Sequence, residues 1–210
     1  ALRQGEKPDG IKSACSLSCL TFAGKGLMPA VRAARNRRTT LYFEDREAFM
    51  AQVRADIVTL QRAVERDGWD GLVIRLDGTS DLGLGEDFAR EFPTIQFVDY
   101  TKILKRALSM VLDLDHPANW HITYSAFEHT TLETIQGLTE SGINVSMVFA
   151  GKVLPESYMG IRVIDGDETD LRHLDPVGVI VGLRMKGVSN AFKASGAASG
   201  FARTIELVAA

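Results

Sequence analysis

Two cysteines separated by three residues, Cys15 and Cys19 in "SACSLSCLTFAGKG", are the first residues whose types and spacing suggest chemistry. Closely spaced thiolates hold zinc or part of an iron–sulfur cluster. Unpaired cysteines also pack as small buried hydrophobes. The chain has no third Cys, so a metal site on this pair needs ligands from elsewhere. It opens "ALRQGEKPDG" without Met, and an N-terminal segment is expected to be missing. The cofactor open to the intact protein is an iron–sulfur cluster or zinc, with Cys15 and Cys19 as its metal ligands.

A second set of reactive groups follows the apolar runs. "LVIRL" leads into "DGTSD", which supplies Asp77, Ser80 and Asp81. Such a loop can orient a sugar, an amino group or a phosphate-bound metal; it also reads as a Gly-centred turn with Asp and Ser as local caps. "TIQFV" leads into "DYTK", with Asp99 and with Lys102 at a helix start, where an anion can bind. "WHITY" leads into "SAFEHTT", bringing Tyr124 and Ser125 to the same rim, and "VIVGL" leads into "RMKG", bringing Lys186. "DGDETD" (165–170) is rich in oxygen ligands, but position twelve counted from Asp165 is Pro176, so it is no EF-hand. The four histidines make no HExxH pair; His129 could act as a rim base, and His121 is expected to pack within the sheet. No nucleophile elbow, Walker A loop or dinucleotide fingerprint is present.

Basic residues form a third group. "AGKG" brings Lys25 and "RAARNRR" brings Arg32, Arg35, Arg37 and Arg38. On a short helix these suit phosphate, either of nucleic acid or of an acidic cofactor. The anion-binding candidates are Lys25, Arg35, Arg38 and Lys186. A run of this kind is also a common solvated face.

The elements needed to position these groups are legible as short apolar runs at 71–76, 94–100, 120–125, 143–151 and 177–183, with a weaker one at 160–165. Most are continuously apolar or β-branched, as strands covered on both faces are. Between them lie helical patterns. In 44–68, Phe49, Val53, Ile57, Leu60 and Val64 recur at spacings of three and four, and Gly68 suits the C-terminal stop. Further helices are expected at 84–92, 101–112 and 130–141. Strands alternating with helices predict an α/β fold of parallel βα repeats, a partial, TIM-like barrel of about six strands. A full barrel normally needs about 250 residues. In parallel α/β folds function sits at the carboxyl ends of the strands, where most of these polar groups fall.

The 210 residues suit a single α/β domain over 1–210, with a flexible Gly/Ala/Ser-rich loop at 187–200 and "FARTIELV" as a final strand. The net charge of −3 gives no global attraction to nucleic acid. Apolar runs fall short of the ~20 residues of a membrane span, so no membrane partner is expected. Two cysteines make no disulfide framework, which points to a reducing, cytoplasmic compartment.

"ACSLSCLTFAGKG", "AARNRRTTLYFEDREAFM", "IRLDGTSDL", "FVDYTK" and "VIDGDETDLRHLDPVGVIVGLRMKG" together resemble a phage and prophage family of the gene product eighty-eight type, from about Cys15 to Gly187. This implies a phage-infected or prophage-carrying bacterial cell; it implies no particular reaction. Family members carry a further cysteine shortly upstream of the pair, which this sequence lacks. The cysteine stretch is also similar in part to the radical S-adenosylmethionine signature. Cys15 and Cys19 match its first two cysteines, whereas Phe22 stands at the third and cannot ligate iron. That similarity implies a [4Fe–4S] cluster and a partial parallel barrel.

The leading expectation is therefore an enzyme-like site, metal- or iron–sulfur-dependent, at the strand carboxyl ends. Asp77, Ser80, Asp81, Asp99, Lys102, Tyr124 and Ser125 are its candidate catalytic residues, acting on a small-molecule ligand. The alternative is a non-catalytic, nucleic-acid-associated phage protein that uses the arginine run.

Overall fold

The computed structural model describes residues 28–186 and 196–204. These fall into two compact units, one of residues up to 72 and one from Val73 onward. The first holds two helices, α1 (Pro29–Glu44) and α2 (Arg46–Asp67), joined at Asp45. Pro29 opens α1, where its missing N–H costs no hydrogen bond. Asp45 caps α2 by accepting from the Ala48 N–H at 2.9 Å. Gly68 ends α2 at φ 70°, a left-handed conformation that glycine adopts without a Cβ penalty. Tyr42 packs edge-on against Phe49 across the joint, and the Arg46 guanidinium lies over the Tyr42 ring.

The second unit is built on eight strands: β1 (Val73–Ile74), β2 (Gln96–Thr101), β3 (Trp120–Ser125), β4 (Val145–Phe149), β5 (Ser157–Tyr158), β6 (Ile161–Asp165), β7 (Ile180–Arg184) and β8 (Ala202–Arg203). Three helices connect the first four strands: α3 (Leu84–Glu91), α4 (Leu104–Leu112) and α5 (Leu132–Glu140). The α/β class and the parallel βα repeats are as the sequence implies. Every strand pair is parallel except β5–β6.

The sheet is open, and its order runs β1-β2-β3-β4-β7-β6-β5. Strands of a βα barrel follow one another in chain order, and here that sequence breaks after β4. The cause is local. β5 and β6 form a hairpin through Met159 and Gly160, both at positive φ (55° and 81°), as a two-residue primed turn requires. The hairpin places β6 beside β7, and β7 takes one full edge of β4. The other edge of β4 is shared. β3 pairs with Val145 and Ser146, and β8 with Val148 and Phe149.

The core is the apolar face between the sheet centre and helices α4 and α5. Ala107, Tyr124, Ile135, Leu138, Val145, Met147, Phe149 and Ile180 are buried there in one cluster. No helix among the described residues is long and apolar enough to cross a membrane.

Candidate functional site

β2 and β3 run in register, Asp99 opposite Ile122 and Thr101 opposite Tyr124. Side chains therefore alternate together on the two faces. Asp99 and Thr101 share a face with Trp120 and Tyr124. Tyr100 shares the opposite face with His121, Thr123 and Ser125. This parity decides which expected site residues can meet.

The first face holds a closed polar network. Asp77, buried, accepts from the Ser80 hydroxyl at 2.6 Å and from the Gly83 N–H at 2.7 Å. It thus fixes the turn that enters α3. The Asp77 N–H in turn donates to Asp99 at 3.2 Å, and the Trp120 indole N–H donates to the other Asp99 oxygen at 3.0 Å. Burial pushes the Asp99 carboxyl up to about 6, against the lowering pull of the Trp120 hydrogen bond; the nearby Asp77 charge adds to the rise.

Asp81 forms the second half of the network. It accepts from the Thr101 hydroxyl and from the Lys102 N–H, each at 2.8 Å, and pairs with the Arg106 guanidinium. The carboxylates of "DGTSD" are thus occupied by donors of the chain itself. They hold the loops after β1 and β2 in place.

That clamp presents Lys102. Its ammonium reaches across to the end of β3 and donates to Ser125 Oγ at 3.3 Å. Both side chains are half-buried. Among the described residues Lys102 forms no ion pair, and Asp81, which holds its backbone N–H, is paired with Arg106. Arg75, just past β1, lies over the Tyr100 ring at 4.4 Å from its centre. The arrangement offers a cation and a hydroxyl at adjacent strand ends, with the neighbouring acid neutralised.

The other expected residues lie elsewhere. Tyr124 is buried in the core cluster, its hydroxyl 3.5 Å from Thr130 Oγ1. Lys186 pairs with Asp167 at 3.0 Å, beside the Arg184 guanidinium, which grips Asp165 and Asp167. The Arg184 hydrogen bonds hold the Asp165 carboxyl below its ordinary range. The acidic loop is thereby tied to β7. Arg35 and Arg38 lie on α1; Arg38 is exposed and Arg35 half-buried. Lys25, Cys15 and Cys19 are outside the described residues. Among those described, no group of three or more His, Cys, Asp or Glu side chains could hold a metal ion.

Sequence reasoning did not single out Arg106, which grips Asp81, and read Thr101 only as a helix cap, although it also donates to Asp81. The signal was present as Arg106 one turn into the helix after "DYTK", but the pairing spans 25 residues. It also passed over a cavity of about 350 Å³ at the amino ends of β2 and β3, lined by His116, His121 and His173.

No curated protein and no solved structure matches the chain. A family model does match it, over residues 8–205, nearly the whole chain and every element described above. The chain belongs to the phage-type family described as Gene product 88.

Proposed function

We propose that this chain is an enzyme acting on a small anionic molecule, held at the carboxyl ends of β2 and β3. The observation that carries the reading is the Lys102–Ser125 pair, 3.3 Å apart at adjacent strand ends. A half-buried ammonium without a carboxylate partner is costly to leave uncompensated, and a phosphate or carboxylate of a ligand supplies the missing charge. Ser125 adds a hydroxyl that can donate to the same ligand. Asp81 and Arg106 act as positioning residues, since they fix the Lys102 backbone. Strand carboxyl ends are the usual place for such groups in open parallel sheets. The reading requires the parallel frame and no closed barrel.

The test is a thermal-shift panel of phosphate monoesters and carboxylates, with hits measured by calorimetry. Lys102→Ala and Ser125→Ala are expected to weaken a hit by about tenfold or more. A panel without hits, or hits that bind both variants as they bind the wild type, overturns the reading.

A second reading rests on α1. Its 16 residues carry four arginines and one acid, Glu44, with no acid in the first turn. At 100° per residue Arg32, Arg35 and Arg38 form one stripe. None of the three has an ion-pair partner among the described residues. This concentration of positive charge in a chain of net charge −3 favours phosphate of a nucleic acid as its partner.

A further inference from the structure

Arg75 stands one residue past β1, and its guanidinium lies over the Tyr100 ring, 4.4 Å from the ring centre. Ile74 pairs with Phe97, so the residue after it falls on the face of Val98 and Tyr100. Thr123 and Ser125 share that face, and the Lys102 ammonium reaches Ser125 there. Three neighbouring strand ends thus bring Arg75, Lys102 and Ser125 to one side of the sheet. The helices pack on the other side. Gly85 of α3 lies against Trp120 and Asp99, and Ala107 of α4 and Leu138 of α5 join the cluster that holds Tyr124.

Both cations lack a counter-ion. Lys102 has Ser125 as its side-chain partner, and Arg75 has the Tyr100 ring. Neither forms an ion pair among the described residues. Arg75 is exposed, so its N–H donors are open to a ligand. Of the acids nearby, Asp77, Asp81 and Asp99 are held in the clamp described above. Asp175 is paired with Arg172 at 3.2 Å. Asp170, whose charge reaches Tyr100, is exposed and pairs with neither cation. Burial pushes the Tyr100 hydroxyl up, against the pull of Arg172 and Arg75. The phenol therefore stays neutral at physiological pH and is no counter-ion for Arg75.

The spacing of the two cations sets the span of the ligand. The guanidinium stands at the level of Tyr100, and the ammonium at the level of Ser125, which follows the Thr101–Tyr124 pair. Two residues along the strands and one to two strands across place them roughly 10 Å apart. Two phosphates that share one bridging atom are too close together to serve both. A guanidinium takes phosphate through parallel N–H bonds, and an ammonium takes it as a point charge.

We propose that the site takes a small molecule with two phosphate groups on a carbon spacer, one held by Lys102 and Ser125 and the other by Arg75, a proposal that rests on the Lys102–Ser125 anion site and adds its substrate class.

Calorimetry on the full chain tests it with three probes. Pentylene bisphosphonate has two charged groups on a spacer, ethylphosphonate has one, and methylene bisphosphonate has two that share a single carbon. The pentylene compound is expected to bind about tenfold tighter than either of the others. Arg75→Gln is expected to remove that gain and to leave ethylphosphonate binding unchanged, which also shows that the variant is folded. Arg75→Lys keeps the charge without the planar fork and should retain part of the gain. Lys102→Ala should weaken all three probes. Equal affinity for the pentylene and methylene compounds, or a gain that survives Arg75→Gln, overturns the proposal, and the anion site itself stands if Lys102→Ala still weakens ethylphosphonate. Absence of phosphonate binding at millimolar concentration, or binding that Lys102→Ala leaves unchanged, overturns both.

Discussion

The Trp120 indole donates its N–H to Asp99 at 3.0 Å, directly over the backbone of Gly85 in α3. A Cβ built on Gly85 would land on both partners, Trp120 Nε1 and Asp99 Oδ2. Both are buried, so neither can swing aside. Gly85→Ala is therefore expected to destabilise the fold by about 2 to 3 kcal/mol despite alanine's better helix propensity, because overpacking outweighs that gain. Chemical denaturation checks it. An unchanged or raised midpoint would show that α3 can lift from the sheet.

The same carboxylate sets a pH dependence. Burial raises Asp99 from an ordinary 3.8 to about 6 in the folded chain. A raised folded-state value means that the folded state binds the proton more tightly than the unfolded state. Its contribution is full below pH ~4 and is lost as pH rises through about 6. Its upper limit is about 3 kcal/mol. The measurement is the unfolding free energy of wild type minus that of Asp99→Asn across pH 4 to 7. It should fall as pH rises. A flat or rising difference would show that the two N–H groups on Asp99 keep it ionised throughout.

The site contains two kinds of residue, and substitutions should separate them. Asp81 holds Thr101, the Lys102 backbone and Arg106 at once. Asp81→Ala leaves the Thr101 hydroxyl and the Lys102 N–H without their acceptor and Arg106 without its carboxylate, though Arg106 keeps the Asp81 carbonyl, and is expected to cost about 2 to 3 kcal/mol. Lys102→Ala removes a side chain whose one hydrogen bond among the described residues goes to Ser125, and should change stability by no more than about 0.5 kcal/mol while weakening ligand binding by about tenfold or more. Equal losses of stability in the two variants would make Lys102 part of the clamp.

This division was only half legible in the sequence. Strand β3 stands at 120–125 as its apolar run implies, and α2 ends at Gly68 as expected, because continuous β-branched runs and a 3.6-residue stripe are local signals. Lys102 and Ser125 were found by position alone, as polar residues following strands. That Asp77 caps its own turn was one of the two readings of "DGTSD"; that Asp81 serves Lys102 and Arg106 could not be read, since those partners are named by the fold. The break in strand order rests on β5, two residues with no periodicity to detect. The histidine cavity joins Gln96, His121 and His173, which are far apart in the chain and met only through the pairing of β2 with β3 and the turn beyond β6.

The basic helix gives the last prediction. Binding to duplex DNA through α1 should weaken steeply with salt, each phosphate contact adding about −0.9 to the slope of log K against log salt. Arg32 and Arg38 lie on one stripe and are exposed. Changing both to Gln should reduce the slope by about 2. Arg37, also exposed, points some 160° away from Arg35 at the centre of the stripe and about 100° from Arg38 at its edge, and should lower the slope by less than a stripe arginine when replaced by Gln. A filter-binding titration at several salt concentrations reads all three slopes. If Arg37→Gln lowers the slope as much as a stripe arginine, attraction is diffuse and α1 has no binding face. If no slope is seen at all, the arginines are a solvated surface and the nucleic-acid reading falls.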